Sequence, residues 1–378
     1  MDNFEHLGLK DTILKGVYSY GFVKPSKIQL RGIKVIISKK DCILQSQSGT
    51  GKTATYLLGT LNNINEDNIN IQSIVITPTR ELAEQVFTVC NQLSKYSNIK
   101  SILCVGGTHI GKFKKELKNT HLIIGTIGRI SHMIQENIIN IQHLQQITLD
   151  EADNLLDKKY SEKILEFIKS LDINIQKCFL SATVNKNMRD ISQELLNDPE
   201  LVLLKKEEVQ VKAIKNFYLN TEKEELKFET LIDLYNLVST SHTMIFCNSI
   251  NKIQYLQTEL EKEGFPITTI HSALSQDERN NIVKDFRDGK TRILLTTDLL
   301  ARGIDIPEVK LVINYDLPKS HETFIHRIGR SGRFGKTGIS ITFVKMDDFK
   351  DKKIFDSLKS HYSINIEEAP ENLSDFLN

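Results

Sequence analysis

The chain of 378 residues is longer than an ordinary domain of roughly 100–200 residues, which predicts two domains. With 40% hydrophobic and 26% charged residues, its composition is that of a folded globular protein and excludes a disordered or collagen-like chain. The 49 Lys and Arg residues almost balance the 48 Asp and Glu residues, giving a net charge of +1. This balance argues against a strongly basic nucleic-acid coat but allows a local basic track.

Short apolar runs alternate with longer amphipathic stretches along the first half of the chain. The runs that read as buried strands are 43–44, 74–76, 102–105, 122–124, 147–149 and 178–180. Helix-like segments such as 81–93 and 162–171 lie between them. Strands that alternate with helices predict βαβ units and a parallel sheet covered on both faces.

The pattern pauses in a charged stretch at 204–210 and then resumes. The later strand-like runs are 244–247, 267–270, 293–295, 311–313 and 339–343. We therefore expect two α/β domains, 1–207 and 208–378. No apolar run is long enough to span a membrane, and the five cysteines, which include no CxxC pair, predict free thiols in a reducing compartment.

A glycine-containing loop at 46–53 follows the first predicted strand and opens a helix, which is the context of a P-loop. Backbone N–H groups of such a loop wrap phosphate oxygens, Lys52 would reach the β- and γ-phosphates, and the Thr53 hydroxyl would hold Mg²⁺. Ser46 stands where the fingerprint has its first glycine, and a bare Gly-Lys-Thr also arises by chance. The predicted nucleotide-binding residues of this loop are Gly49, Thr50, Gly51, Lys52, Thr53 and Ala54.

A P-loop requires an acid at the end of a second strand to hold the metal. Asp150 and Glu151 end the predicted strand at 147–149. Asp150 would hold Mg²⁺ through water, and Glu151 would orient or deprotonate the attacking water. Taken alone, these residues would form a solvated acidic turn.

The motif 150–153, Asp-Glu-Ala-Asp, together with the loop at 46–53, resembles the DEAD-box ATP-dependent RNA helicases, and the resemblance covers nearly the whole chain in the family's motif order. It implies two tandem RecA-like domains, each a parallel sheet flanked by helices. It also implies that segment 21–29 recognises adenine. In that segment Gln29 would read the base edge, Phe22 would stack on the ring and Lys24 would contribute a backbone group.

Three further segments of the first domain put small residues, a hydroxyl or an arginine at a helix start, which suits a phosphate backbone. Each alone reads as a capped helix, but the resemblance implies that together they grip single-stranded RNA. The family normally has proline where Ile127 stands. A turn at 181–183 matches the segment that links the acidic motif to RNA binding. The predicted RNA-binding residues are Pro78, Thr79, Arg80, Gly107, Thr126 and Arg129 in this domain and Thr297 in the second.

In the second domain, segments 298–305 and 326–333 complete the match. A guanidinium can stabilise the negative charge that builds on the transferred phosphoryl group. Arg327 and Arg330 are therefore the predicted arginine fingers, supplied across the domain cleft. Their spacing of three would place them on one helix face. The resemblance assigns Asp305 to the ribose. The predicted nucleotide-binding residues of segment 326–333 are Arg327, Ile328, Gly329, Arg330 and Ser331.

These assignments predict an RNA-dependent ATPase that uses ATP and Mg²⁺ to separate short duplexes locally, with little sequence preference. Segments 16–22, 312–318 and 364–377 also resemble the translation initiation factor 4A subfamily and its nuclear exon-junction relative. We therefore expect a role in translation initiation, a monomer with scaffold or adaptor partners, no membrane contact and a cytoplasmic location, with the nucleus as the alternative. The alternatives are an ATP-gated RNA clamp, an rRNA-processing helicase and, less favoured by the motifs, a DNA helicase.

Overall fold

The computed structural model describes residues 3–46, 50–107, 110–157, 161–184, 186–204, 214–238, 242–298, 309–331, 338–362, 365–370 and 373. The chain divides into two compact units, Met1–Lys205 and Lys206–Asn378. The predicted domain boundary near residue 208 stays a prediction, because residues 205–213 lie outside the described residues.

The first unit is a parallel sheet flanked by helices. Its strands are β1 Cys42–Gln45, β2 Ser73–Thr77, β3 Ser101–Cys104, β4 Leu122–Thr126, β5 Gln146–Asp150, β6 Gln176–Ser181 and β7 Glu200–Leu203. Its helices are a 3₁₀ turn at Phe4–Leu7, α1 Asp11–Tyr20, α2 Lys27–Ile37, α3 Lys52–Asn63, α4 Arg80–Leu93, α5 Ile110–Glu116, α6 Ile127–Gln135, α7 Ala152–Leu155, α8 Ser161–Lys169 and α9 Lys186–Leu195. The strand order is β3-β4-β2-β5-β6-β1-β7.

The second unit repeats this architecture. Its strands are β8 Ile214–Asn220, β9 Thr243–Phe246, β10 Ile267–Ile270, β11 Ile293–Thr296, β12 Leu311–Asn314, β13 Gly338–Val344 and β14 Ile366–Glu368, in the order β10-β11-β9-β12-β13-β8-β14. Its helices are α10 Leu226–Val238, α11 Ile250–Lys262, α12 Gln276–Arg287, α13 His321–Ile328 and α14 Phe349–Tyr362. The two parallel sheets confirm the predicted pair of RecA-like domains.

The central strands are buried along their whole length because helices cover both faces of each sheet. Every residue of β2, β5 and β6 is buried in the first unit, and every residue of β9, β11 and β12 in the second. Each buried Ile or Leu side chain contributes about 1.5–3 kcal/mol relative to exposure, so these strands anchor the loops that follow them. In the described part of the chain, no helix is long and apolar enough to cross a membrane.

Candidate active site

The predicted phosphate-loop, acidic and RNA-binding segments of the first unit follow the carboxyl ends of strands in one parallel sheet. Parallel strands end at the same edge, so the segments lie together along it. The residues that follow β1 to β6 are, in that order, Ser46, Pro78, Val105 to Gly107, Ile127, Glu151, and Ala182 with Thr183. In open α/β sheets this edge is where ligands bind.

In the described part of the phosphate loop, side chains bind other groups of the same loop. Gly51 has φ +95°, a left-handed conformation that favours glycine, and it is the N-cap of α3. The Lys52 ammonium donates to the backbone carbonyl of Ser46, and the Ser46 and Thr50 hydroxyls form a hydrogen bond with each other. Ser46 therefore adds a polar group to the loop where the fingerprint has glycine. Gly49 lies outside the described residues.

The first turn of α3 carries the other predicted loop residues. Thr53 is half-buried at the second position of the helix, and Ala54 is buried beside it. The first N–H groups of a helix have no partner within the helix and bear its positive dipole end, so this turn suits a phosphate group. Lys52 and Thr53 are both at the position that the P-loop assignment requires.

Asp150 is the last residue of β5 and is only 4% exposed. Its Oδ1 accepts from the Glu151 backbone N–H at 2.9 Å, and its Oδ2 accepts from the Tyr56 hydroxyl at 2.9 Å. Burial, and then the Glu151 charge, raise the pKa of Asp150 to about 6, while the Tyr56 hydrogen bond and the Lys52 charge act in the opposite direction. Burial and the nearby Asp150 charge also raise the pKa of Tyr56 well above its usual value, so its hydroxyl remains a donor.

Glu151 lies in a left-handed backbone conformation, with φ +52° and ψ +51°, at the N-cap of α7. Such a conformation is uncommon for a residue with a side chain and is found preferentially at functional sites. Within the described part of the chain, its buried Oε2 atom has no hydrogen-bond partner. An acceptor held in this way is suited to a water molecule.

The oxygen atoms at this edge of the sheet are suited to bind Mg²⁺. Hydroxyl and carboxylate oxygens are the hard ligands that Mg²⁺ takes, usually with several waters retained. Thr53 and Asp150 supply such oxygens, and the unpartnered Oε2 of Glu151 could accept from a water bound to the metal. No soft sulfur or imidazole ligand belongs to the predicted set.

The predicted adenine segment is folded against the phosphate loop. Ser26 and Gln29 form a capping box at the start of α2, in which Gln29 Oε1 accepts from the Ser26 N–H at 2.8 Å. The Ser26 hydroxyl donates to the Thr50 carbonyl at 2.8 Å. A Cβ atom added to Gly51 would come within 2.6 Å of Gln29 Nε2, so the buried amide lies directly against the loop.

The aromatic part of this segment is a small cluster of rings. The half-buried Phe22 ring lies 4.9 Å from the Tyr20 ring and 6.0 Å from the Phe4 ring, centroid to centroid. Its partial exposure leaves ring surface for stacking. Lys24 is exposed.

The predicted RNA-binding segment after β2 is built as a capped helix start. The Thr79 hydroxyl accepts from the Leu82 N–H at 3.2 Å, which caps α4, and Pro78 is half-buried before it. The Arg80 guanidinium lies against the two glycines that follow β3. If these glycines carried a Cβ atom, it would lie 2.6 Å from a guanidinium nitrogen at Gly106 and 3.3 Å from one at Gly107. Arg80 and Gly107 are therefore neighbours, as a shared phosphate-binding surface requires.

The segment after β4 tolerates the isoleucine that replaces the family's proline. Ile127 is the first residue of α6, is 4% exposed and packs in the core of the unit. Proline favours this position because its φ suits a helix, but other residues can adopt the same conformation. Thr126 is the N-cap, with a hydroxyl that makes no capping bond, and Arg129 is half-buried on the first turn.

Arg327 is placed differently from the predicted arginine finger. Its side chain has no exposed surface, and its guanidinium lies 5.2 Å from the centre of the Phe246 ring. Its acceptors are Asp298 Oδ1 at 2.5 Å, the Asp316 carbonyl at 2.7 Å, Asn248 Oδ1 at 2.8 Å and Asn314 Oδ1 at 3.3 Å. All three guanidinium nitrogens are thus engaged, and four of the five N–H donors have acceptors within the second unit. In this structure Arg327 therefore organises the strand ends of the second unit, and its finger role stays a prediction.

The expected shared helix face of Arg327 and Arg330 is wrong, because α13 ends at Ile328. Arg330 follows the C-cap residue Gly329 and is 6% exposed, and the Ser331 hydroxyl donates back to the Ile328 carbonyl at 3.0 Å. Thr297 is half-buried just after β11. Asp305 lies outside the described residues.

Sequence reasoning missed Tyr56, a buried tyrosine with its hydroxyl on Asp150. A signal was available: Tyr56 lies four residues after Lys52, hence on the same side of the helix, and a buried tyrosine hydroxyl needs a partner.

The geometry defines a P-loop nucleotide site on a RecA-like domain, and comparison with known proteins identifies the family. Residues 26–191 match the DEAD/DEAH box helicase family, and residues 226–335 match the helicase conserved C-terminal domain. Eukaryotic initiation factor 4A of Caenorhabditis elegans is 40% identical, over 100% of this chain and 93% of that protein. The ATP-dependent RNA helicase FAL1 of Meyerozyma guilliermondii is 43% identical, over 98% of this chain and 93% of that protein.

Among solved structures, Saccharomyces cerevisiae Dbp5 bound to RNA and ADP BeF3 is similar with a TM-score of 0.91 and 33% identity, covering all of both chains. The chain belongs to the DEAD-box family of ATP-dependent RNA helicases. It is accordingly an RNA helicase that uses ATP.

Proposed function

We propose that this protein binds ATP with Mg²⁺ at the phosphate loop, hydrolyses it in response to RNA, and uses the cycle to separate short RNA duplexes locally. The observation that carries this proposal is the convergence of six strand-end segments on one edge of the first sheet. Nucleotide residues and RNA residues are then parts of one surface, so a change at one can reach the other over a short distance.

Each residue of the nucleotide site has a chemical role in this proposal. Lys52 leaves the Ser46 carbonyl and binds the β- and γ-phosphates, while the N–H groups of the first turn of α3 complete the cradle. Thr53 and Asp150 would hold Mg²⁺, which would neutralise charge on the phosphates. Glu151 orients the attacking water and accepts its proton, since its Oε2 is buried and has no partner within the described residues.

The RNA contacts would be made to the sugar-phosphate backbone. Pro78, Thr79, Arg80, Gly107, Thr126 and Arg129 lie at helix starts or glycine turns rather than on a surface shaped to read base edges. Thr297 of the second unit is proposed to join them. The similarity to Dbp5 in its RNA-bound form supports this proposal. Backbone contacts predict weak sequence preference and an affinity that falls with salt.

Of the two predicted arginine fingers we favour Arg330, because the Arg327 guanidinium has four acceptors within the second unit. A guanidinium that reaches the transferred phosphoryl group stabilises the charge of the transition state more than it stabilises bound ATP. Asp305 is proposed to bind the ribose, on the sequence resemblance alone.

The experiment is a steady-state ATPase measurement with and without RNA, run beside an unwinding assay on a short RNA duplex. We expect RNA-stimulated hydrolysis and ATP-dependent unwinding, both absent in Lys52→Ala, which should lose ATP binding. Unchanged ATP affinity of Lys52→Ala by calorimetry would refute the phosphate-loop assignment. An ATP-gated clamp would instead hold RNA with a non-hydrolysable ATP analogue, turn over slowly and fail to unwind.

For the cellular process we propose translation initiation, as a cytoplasmic monomer that works with a scaffold or adaptor protein. The 40% identity to initiation factor 4A over the whole chain supports this, and FAL1, at 43% identity, supports the alternative of rRNA processing. Depletion of the protein followed by polysome profiling should show loss of polysomes before any change in rRNA precursors. The opposite order would favour rRNA processing. Light scattering on the purified protein tests the monomer.

A further inference from the structure

Tyr56 connects the helix of the phosphate loop to the acidic strand. It lies on α3 four residues after Lys52, and its side chain has no exposed surface. The hydroxyl donates to Asp150 Oδ2 at 2.9 Å, a buried contact between residues 94 positions apart in the sequence. A phenylalanine would fill almost the same volume, so tyrosine differs from it here mainly by this hydrogen bond.

A second buried polar contact joins the same two elements farther from the site. Gln146 Nε2 donates to the Thr60 hydroxyl at 3.0 Å. Thr60 follows Tyr56 by four residues on α3, and Gln146 precedes Asp150 by four residues on β5, so both contacts lie on one face of each element. The helix and the strand are thus joined by a contact at the site and a matched contact away from it.

We propose that Tyr56 is a positioning residue for Mg²⁺: its hydroxyl fixes the Asp150 carboxylate in the orientation that receives the metal-bound water. This inference rests on the proposed function, in which Asp150 holds Mg²⁺. The Glu151 N–H fixes Oδ1, and the Tyr56 hydroxyl fixes Oδ2, so the carboxylate plane cannot rotate. Each carboxylate oxygen accepts about two hydrogen bonds, so both remain able to accept from water.

The prediction concerns metal affinity rather than nucleotide affinity. Removing the hydroxyl leaves the Asp150 charge in place but frees one of its two oxygens. Partners that orient a metal-binding group typically change metal affinity by roughly 10–100-fold. Because the Tyr56 side chain is fully buried with its hydroxyl on Asp150, ADP binding without metal should be unaffected.

The test measures ADP affinity by calorimetry, first in EDTA and then over a Mg²⁺ titration. For Tyr56→Phe we expect the Mg²⁺ concentration that gives half of the change in ADP affinity to rise by roughly tenfold. The affinity for metal-free ADP should be unchanged. Thr60→Val is the matched control, since it removes the hydroxyl of the second contact and should leave the Mg²⁺ titration unchanged. Equal shifts in the two variants would overturn the proposal, because they would reflect a displaced helix.

Asp150→Ala separates this inference from the proposed function. If Asp150→Ala loses the Mg²⁺ effect and Tyr56→Phe does not, the positioning role is wrong and the metal site stands. If Asp150→Ala keeps the wild-type Mg²⁺ effect, the metal site is wrong and the inference falls with it. Urea unfolding covers the case of a destabilised Tyr56→Phe, because Thr60→Val also loses a buried hydrogen bond between the same helix and strand. A Mg²⁺ shift that follows the loss of stability in both variants would overturn the proposal.

Discussion

The Thr183 hydroxyl donates a hydrogen bond of 2.6 Å to Asp153 Oδ2, and both side chains are buried. Thr183 follows β6, where its backbone N–H donates to the Ser181 hydroxyl at 3.0 Å, and Asp153 lies in α7, two residues after Glu151. A movement of the turn at 181–183 therefore acts on the helix that Glu151 caps.

We expect Thr183→Val to bind ATP as the wild type does but to unwind duplexes about tenfold more slowly. A buried hydrogen bond to a charged group contributes about 1.5–3 kcal/mol, and its loss leaves the Asp153 oxygen without this donor. Unwinding and ATPase rates measured together test the prediction. Thr183→Ser keeps the hydroxyl and should recover most of the rate; equal defects in both variants would argue against the bond.

Glu151→Gln should retain ATP and RNA binding and lose turnover by at least about 100-fold, the usual contribution of a general base. Glutamine has nearly the same size and shape as glutamate, but it carries no charge and has an NH₂ donor in place of one acceptor oxygen. RNA-stimulated ATPase is the measurement, and Glu162→Gln on the exposed surface of α8 is the control. Normal turnover in Glu151→Gln would remove Glu151 from the mechanism.

Arg327→Ala should destabilise the second unit by about 3–5 kcal/mol, the range for removing one partner of a buried ion pair. The loss includes the 2.5 Å contact to Asp298 and the bonds to three other groups. Urea unfolding measures it. Lysine cannot reproduce the planar fork, so Arg327→Lys should also be unstable. Wild-type stability with a selective loss of turnover would instead support the finger role of Arg327.

Arg330→Ala should lower the rate of hydrolysis far more than it lowers ATP affinity, because a finger acts in the transition state. Single-turnover hydrolysis and equilibrium ATP binding are the two measurements. Equal losses in both would count against the role, and a urea midpoint equal to that of the wild type is the required control.

Glu224→Gln should show a pH-dependent loss of stability. Burial would raise the pKa of Glu224, but hydrogen bonds from Lys252 and Lys227 outweigh it and lower the pKa below its usual 4.5. The native state then binds this proton less tightly than the unfolded chain does, so the ionised carboxylate stabilises the fold above about pH 4.5 and the gain is lost as the pH falls below that value. Lys227, which is 4% exposed, depends on this partner at 2.9 Å.

The expected deficit of Glu224→Gln is about 1 kcal/mol near pH 7, reduced by solvent around the partly exposed carboxylate, and it should shrink towards pH 4. Urea unfolding at several pH values measures it. Glu225→Gln, at the exposed neighbouring position, should show no such dependence. A deficit that does not change with pH would mean that packing, not charge, is responsible.

The central strands were predictable from sequence because burial on both faces makes them continuous apolar runs. Three edge or near-edge strands, β7, β8 and β14, were not predicted. Their residues mix exposed and buried positions: β7 has one buried residue in four, and β8 has two buried residues in seven. A strand that completes a sheet edge needs few apolar side chains, so its signal is lost among charged neighbours.

The site was predictable where chemistry fixes spacing and unpredictable where packing decides. Lys52, Thr53 and Asp150 were identified because phosphate and metal binding demand those residues beside strand ends. The burial of Arg327 depends on acceptors such as Asn248, 79 positions away in the sequence, and no local pattern indicates such a contact. Tyr56 was missed for the same reason, since its partner lies 94 positions away.

The capping box at the start of α2 has a consequence for which purine the protein accepts. The Ser26 N–H can only donate, so the atom of the Gln29 amide that faces it must be the oxygen, and the NH₂ group is directed to the other side. Adenine offers a donor and an acceptor along the edge that such an amide reads, whereas guanine offers two acceptors. A side chain whose amide cannot flip presents one fixed pattern of donor and acceptor. Base selectivity would then be set by a helix cap that forms when the domain folds, before any nucleotide arrives.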